Sequence, residues 1–230
     1  MKKVVLLLGL LSLGFINAQE RGEDENGIWY MYFGTNKVAK RWSIHTEAQF
    51  RYFETSGNFN QLLLRTGANY HINPNAIATL GYGFIETDGS FADIVGEVNS
   101  KENRIFQQFI LKTKVWEFLF EHRYRLEQRF IDFGNRKETQ HRTRYRIQMT
   151  LPLTDTFFLN FYDEIFINLQ DDLFGQNRLY GALGVHITEN SSLQLGWLRN
   201  QFSDAVFDRF QIGFFYNPDL RGIFKKKAKR

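Results

Sequence analysis

The chain of 230 residues contains no cysteine, and this absence excludes several kinds of chemistry. Without thiols there is no disulfide, no thiolate-bound metal, no cysteine nucleophile and no cysteine that could carry a lipid anchor. The stability of the fold must therefore come from backbone pairing and side-chain packing.

Proline occurs only three times, and no apolar run after the first residues approaches the length of a membrane-spanning helix. Such a helix needs about 20 apolar residues. A closed β-barrel is the other structure that satisfies every backbone polar group inside a bilayer. If the chain is integral to a membrane, it must therefore be a barrel, and its aromatic fraction of 17% suits strands with aromatic belts.

Residues 1–18 have the order of a secretory signal peptide. Lys2 and Lys3 are basic, 4–15 are apolar, and Ile16-Asn17-Ala18 forms a cleavage site. The alternative is a buried N-terminal strand or helix, which would not explain this order of charges. Removing the segment takes away two lysines and no acid, which leaves 27 basic and 25 acidic residues. We expect an exported chain that is nearly neutral.

In the stretch 117–131, apolar and charged side chains alternate between even and odd positions more regularly than in any other part of the chain. The even positions are mainly aromatic or apolar, whereas the odd positions carry Glu121, Arg123, Arg125, Glu127 and Arg129. Successive side chains of a strand point to opposite faces, so a period of two over fifteen residues predicts one long strand. This strand has one aromatic face and one charged face.

The same alternation recurs along the chain and predicts an all-β fold, an antiparallel up-and-down transmembrane β-barrel of 10–12 strands over residues 19–217. Eleven strands can be counted, at 28–36, 41–53, 59–72, 76–86, 102–115, 117–131, 138–151, 157–169, 177–187, 192–202 and 206–217. Bacterial single-chain barrels normally have an even number, so we expect this count to be wrong by one, near Trp29 or among the last two strands. Short and long connections alternate, as in such barrels, while Asp163 interrupts an otherwise apolar outward face.

The charged faces of neighbouring strands form the strongest candidate site. Since adjacent strands lie about 4.8 Å apart, their guanidinium and carboxylate groups come within reach of each other inside the barrel. The predicted lumen charge network comprises Glu102, Arg104, Glu121, Arg123, Arg125, Glu127, Arg129, Arg142, Arg144, Arg146 and Glu164, with Gln108, Lys112 and Lys114 on the same faces. One interpretation is a structural ladder of bidentate ion pairs, and the other is an arginine-rich lumen that selects small anionic solutes.

The sequence gives little support for an enzyme. His141-x-Thr143 places a base and a hydroxyl on one face, as an interfacial lipid hydrolase would require, but serine is absent there and no acid partner is evident. The five histidines show no metal-ligand spacing, so neither a metal nor another cofactor is predicted. No nucleic-acid-binding motif occurs. A soluble periplasmic β-barrel that binds a ligand remains the other alternative.

Residues 218–230 form a C-terminal tail that ends in five basic residues among its last six. Such a tail is either attracted to an anionic membrane surface, at about 1 kcal/mol per charge, or simply solvated. The sequence does not distinguish the two.

Several blocks of the sequence resemble a known family. They are Trp29, Gln49-Phe50-Arg51-Tyr52, Glu102-Asn103-Arg104, Gln107-Gln108, the run from Arg123 to Arg129, the run from Arg142 to Arg146, Glu164 and Gln176-Asn177-Arg178. Together they resemble the exported proteins grouped as domain of unknown function 2490, typical of Bacteroidetes-type bacteria. The resemblance implies a barrel in the bacterial outer membrane. For such a barrel we expect outer-membrane lipid and, during biogenesis, the barrel-assembly machinery as partners. It implies no activity and no catalytic residue, and the oligomeric state stays open.

Overall fold

The structure, a computed structural model, describes residues 25–55, 57–91, 96, 98–170 and 172–223. Within these residues, eleven strands form one closed barrel in which each strand pairs with its neighbours along the chain. The strands are β1 (Gly27–Lys37), β2 (Trp42–Tyr52), β3 (Phe59–Asn73), β4 (Ala76–Thr87), β5 (Ser100–Val115), β6 (Phe118–Asp132), β7 (Lys137–Pro152), β8 (Phe157–Asn168), β9 (Phe174–Thr188), β10 (Ser191–Gln201) and β11 (Val206–Tyr216). The prediction of an all-β barrel is confirmed. The predicted signal segment and residues 224–230 of the basic tail lie outside the described residues.

The two faces of the barrel wall have opposite character. Along β6, Tyr124, Leu126 and Phe130 are exposed, whereas Arg125 and Glu127 are buried. The other strands alternate in the same way, so exposed apolar side chains cover the outside and buried polar side chains fill the inside. This distribution follows from the period of two, because every second side chain of a strand faces the lumen.

The expectation that the strand count is wrong by one is itself wrong, because the described barrel closes with eleven strands. Ten successive pairings are antiparallel, so β1 and β11 run in the same direction. They pair in parallel from Gly27 beside Arg209 to Gly34 beside Tyr216. An odd number of alternating strands makes one parallel seam unavoidable.

The connections sort by length between the two ends of the barrel. Connections of two to four residues lie at one end, which we call the short-turn rim: 38–41, 74–75, 116–117, 153–156 and 189–190. Connections of four to twelve residues lie at the other end, the loop rim: 53–58, 88–99, 133–136, 169–173 and 202–205. Because the strand number is odd, β1 begins at the loop rim and β11 ends at the short-turn rim.

Inward glycines make room for inward rings. Gly81 on β4 lies opposite Phe106 on β5, and a Cβ atom on Gly81 would stand 2.2 Å from the nearest ring carbon. Gly196 on β10 makes room for Tyr180 in the same manner, since a Cβ atom on Gly196 would stand 2.5 Å from the nearest atom of the Tyr180 side chain. Gly81 and Gly196 therefore leave room for bulky rings from the neighbouring strands.

The segment after β11 folds back on the short-turn rim. Asp219 forms a bridge to Lys37 at the end of β1, and the backbone N–H of Leu220 donates to the Lys37 carbonyl at 2.8 Å. Arg221 donates to the Asp219 carboxylate, which lowers the pKa of Asp219 to about 2. No helix in the part of the chain that the structure describes is long and apolar enough to span a membrane.

Candidate functional site

Glu127, in the middle of β6, is the centre of the interior ion-pair network. Its side chain is fully buried, with 0% exposed, and four guanidinium groups surround it. Arg142 and Arg144 of β7 approach its two carboxylate oxygens at 2.7 and 2.8 Å. Arg104 of β5 and Arg125 of β6 lie farther away, at 3.5 and 3.7 Å. A buried carboxylate is tolerated only with such partners, because desolvation would otherwise make it very costly.

The structure gives each of the eleven residues of the predicted network an ion-pair partner. The pairs beyond Glu127 are Glu164 with Arg123 and Arg144 (2.7 and 2.8 Å), Glu102 with Arg104 and Arg129 (2.5 and 2.8 Å), and Glu121 with Arg146 (2.7 Å). Arg104 joins Glu102 to Glu127, and Arg144 joins Glu127 to Glu164. These shared arginines connect β5, β6, β7 and β8 through one chain of alternating charges.

Buried aromatic rings extend the network across the lumen. Phe166 of β8 lies under Arg142, Arg144 and Arg178, whose guanidinium carbons are 5.0, 4.1 and 4.8 Å from its ring centroid. Arginine stacked on an aromatic face gains a cation–π interaction that is strongest when both groups are desolvated. The Arg178 guanidinium thus reaches from β9 to the ion pairs of β7, although no carboxylate of the described residues lies within 4 Å of it.

Phe106 and Trp29 play similar parts elsewhere in the lumen. Phe106 lies between Arg65 of β3 and Arg125 of β6, whose guanidinium carbons are 5.5 and 4.9 Å from its ring centroid. Against Trp29 of β1, the guanidinium carbons of Arg51 and Arg178 lie 3.8 and 5.1 Å from the ring centroid. The sequence assigned Arg125 to the inward charged face, but it did not predict these contacts, because they cross the lumen.

Glu47 of β2 holds a smaller polar cluster that the predicted network did not include. Arg65 approaches its carboxylate at 2.7 Å, His45 at 3.0 Å, and the Gln49 amide also donates to it. The alternation of Glu47 and Gln49 with apolar residues was the available signal in the sequence. It indicated the face but not the partners.

Arg51 and Arg178 lie in the interior without a carboxylate within 4 Å in the part of the chain that is described. Arg51 donates to the side chains of Gln49 and Gln61, and Arg178 donates through Nε to Asn200 at 3.3 Å. The interior accordingly carries an excess of positive charge. Its eleven arginines between the rims are Arg51, Arg65, Arg104, Arg123, Arg125, Arg129, Arg142, Arg144, Arg146, Arg178 and Arg209, and its five glutamates there are Glu47, Glu102, Glu121, Glu127 and Glu164.

The hydrolase candidates do not assemble a catalytic site in the described residues. The Thr143 hydroxyl donates to the Arg125 carbonyl at 3.4 Å, and no hydrogen bond joins it to His141. A serine–histidine contact does exist elsewhere, since Ser43 Oγ lies 2.8 Å from His71 Nε2, but the Ser43 side chain is buried, with 1% of the residue exposed. A hydroxyl enclosed in this way cannot meet a lipid carbonyl. No group of three or more potential ligand residues that could hold a metal occurs in residues 25–223 as far as they are described.

Asp163, which interrupts the outward face of β8, is part of a small polar patch on the outer wall. The Asn177 amide donates to it at 3.0 Å. Nearby, Arg199 and Asp208 form an ion pair at 2.9 Å, and the Trp197 indole also donates to Asp208. Arg199 and Asp208 lie two residues from the ends of their strands, close to the loop rim. Asp163 therefore has a polar partner on the neighbouring strand.

Comparison with known proteins identifies a family and nothing more specific. No curated protein and no solved structure matches the chain. One family model matches residues 26–211, from the residue before β1 to the middle of β11. Because this match covers most of the chain, the protein belongs to the family described as protein of unknown function (DUF2490).

Proposed function

We propose that this protein is an integral outer-membrane β-barrel whose lumen is closed by an arginine-rich core, with a structural or solute-binding role rather than that of an open pore. The observation that carries the proposal is the reversed polarity of the barrel wall. Leu80, Leu183 and Leu195 are exposed outside, at 50–61%, while Arg125 and Glu127 are buried inside. A soluble sheet turns its apolar face to a core and its charges to water, whereas a membrane barrel does the opposite.

Aromatic side chains at both rims support a membrane location. Trp42 and Tyr70 pack together on the outer surface near the short-turn rim, with ring centroids 5.0 Å apart. Tyr30 and Tyr52 pack together on the outer surface near the loop rim, with ring centroids 6.1 Å apart. Aromatic side chains of this kind favour the interface between lipid and water, where their rings are buried and their polar atoms remain solvated.

The interior supports a closed lumen. Phe106, Glu127, Phe166 and Leu198 are all inward and at most 1% exposed. At the loop rim, Phe91 packs edge-to-face on Phe53, the residue that follows β2. Side chains that fill a barrel of this size leave a packed core rather than a channel.

Passage of small anions is the second candidate function. The specific observation in its favour is the surplus of interior arginines over glutamates, since a ring of cations attracts anions. Conduction would require the buried side chains to move apart. A soluble barrel and a lipid hydrolase are less well supported, because the outer wall is apolar and the Ser43 hydroxyl is enclosed.

The location is tested by fractionating cells that express the full chain. We expect the protein in the outer-membrane fraction, extracted only by detergent, and migrating faster on a denaturing gel when the sample is not boiled. Recovery in the soluble periplasm would refute the membrane barrel.

The state of the lumen is tested with the folded protein in a planar bilayer. We expect no steady open-channel current, because the centre of the lumen is filled. A stable anion-selective current would refute the closed lumen and establish the second candidate.

A further inference from the structure

Trp29 and three inward side chains near it offer hydrogen-bond donors and no negative charge. Both terminal nitrogens of Arg178 donate to no acceptor in the described part of the chain, where only its Nε has a partner. Trp29 Nε1 and Gln211 Nε2 are buried and also have no acceptor in that part. Arg51 lies against the Trp29 ring with its guanidinium carbon 3.8 Å from the centroid.

The strand register places these groups together. Trp29 on β1 is paired with Arg51 on β2 and with Gln211 on β11, so the three inward side chains form one row across the parallel seam. Arg178 reaches the same ring from β9 across the lumen. The packing of Trp29 against Tyr180 and Leu198 fixes the indole in this position.

The electrostatics of this row differ from those of the ion-pair network. Around Glu127 and Glu164, each guanidinium has a carboxylate within 4 Å. Arg51 and Arg178 have amide and aromatic neighbours instead. Arg51 is buried and Arg178 is partly exposed, and neither has a carboxylate within 4 Å among the described residues. Two such cations beside two buried donors without acceptors are unfavourable unless an anion or water supplies the acceptors.

We propose that Arg51, Arg178, Trp29 and Gln211 form an interior binding site for a small oxyanion. The planar fork of Arg178 can donate two parallel N–H bonds, which matches two oxygens of a phosphate, sulfate or carboxylate group. The indole and amide N–H groups supply further neutral donors. Since the side chains around the site are packed, the ligand is limited to a small ion.

This inference goes beyond the proposed membrane location and does not depend on it. The site is defined by the folded barrel and would exist equally in a soluble one. The fractionation experiment and the binding experiment can therefore fail independently.

The test uses the folded full barrel in detergent micelles, with inorganic phosphate as the probe. Phosphate replaces chloride at constant ionic strength while tryptophan fluorescence and the thermal unfolding midpoint are followed. We expect a saturable change in both signals, because Trp29 is the inward tryptophan beside the site whereas Trp42, Trp116 and Trp197 are exposed. Sulfate should compete with phosphate.

Arg178→Gln should weaken phosphate binding at least tenfold. Arg178→Lys keeps the charge but loses the fork, so it should also weaken binding and reduce the preference for phosphate over chloride. Arg136→Gln is the matched control, since it removes one arginine at the exposed loop rim and should leave binding unchanged. The heat-dependent gel shift verifies that each variant is folded, and Arg178→Lys serves if Arg178→Gln does not fold.

Two results would overturn the site. One is the absence of any saturable response of the folded wild-type protein to phosphate, sulfate or acetate, which would mean that water alone occupies the donors. The other is a phosphate response that chloride reproduces or that is equal in the wild type and in a folded Arg178 variant, which would reflect general screening.

Discussion

At the residue scale, the interior is held together by carboxylates, and three of them, Glu102, Glu127 and Glu164, each pair with two or more arginines. Glu127 is the most heavily shared, with four guanidinium groups within 4 Å. Replacing a buried ion pair with apolar residues can be neutral, but removing one partner leaves the other charge uncompensated. The energetic importance of Glu127 therefore lies in the arginines that it neutralises.

We expect Glu127→Gln to lower the free energy of unfolding by about 3–5 kcal/mol, because four buried guanidinium groups lose their common counter-charge. Urea unfolding of the folded barrel in detergent, followed by circular dichroism, measures the effect. Glu138→Gln is the control, since the Glu138 carboxylate pairs with Arg136 at the exposed loop rim and should leave the unfolding midpoint unchanged. Equal unfolding midpoints for wild type and Glu127→Gln would contradict the central role of Glu127.

At the element scale, neighbouring strands are matched in side-chain volume. Gly81 on β4 and Phe106 on β5 are partners in register, and the ring occupies the space that a Cβ atom would take. The fully buried Phe106 in turn lies beneath Arg65 and Arg125. A small residue on β4 thus positions a ring of β5 for cation–π contacts with arginines of β3 and β6.

We expect Gly81→Ala to destabilise the barrel by about 1–3 kcal/mol, because Phe106 must move and overpacking of a filled core is unfavourable. Gly83→Ala, two residues along the same inward face, meets no atom closer than 3.5 Å and should be neutral. The same urea experiment compares the two variants. If both behave alike, then the contact between Gly81 and Phe106 does not limit the packing.

At the scale of the whole molecule, the odd number of strands has two consequences. It creates the parallel seam between β1 and β11, and it places the start of β1 and the end of β11 at opposite rims. Parallel pairing is slightly weaker per residue than antiparallel pairing. The seam also carries Trp29 and Gln211 of the proposed anion site.

The register of the seam can be tested by cross-linking, since the chain has no native cysteine. Tyr30 and Ile212 are outward partners across the seam, so the double variant Tyr30→Cys/Ile212→Cys should form a disulfide on oxidation. In the control variant Tyr30→Cys/Tyr216→Cys, the second cysteine lies four residues farther along β11, so this pair should not form a disulfide. Non-reducing gel electrophoresis distinguishes the outcomes, and cross-linking of only the displaced pair would show that the register is different.

The proposed membrane orientation can be tested by cysteine labelling of intact cells. Longer connections of outer-membrane barrels lie outside the cell and short ones in the periplasm. We expect Asp204→Cys, at the loop rim, to react with a membrane-impermeant maleimide, and Asn190→Cys, at the short-turn rim, to react only after lysis. The reverse pattern would mean that the barrel has the opposite orientation.

The amino-acid sequence alone determined the all-β architecture and the side-chain faces of the strands that alternate clearly. A strand has a side-chain period of two, so the sequence assigns Arg125 and Glu127 to one face and Tyr124 and Leu126 to the other. The alternating segments and the turns between them also indicated eleven strands. Only the expectation that bacterial barrels have an even number of strands argued against that count. Connection lengths indicated which turns share a rim.

Only the tertiary structure decided which inward groups meet. Pairing between neighbours such as Arg146 and Glu121 is local to adjacent strands, but contacts across the lumen depend on strand tilt and side-chain reach, which alternation does not encode. The approach of Arg178 on β9 to Trp29 on β1 is of this second kind. So is the closure of β11 on β1, because a period of two specifies the face of a side chain and not the neighbour of an edge strand.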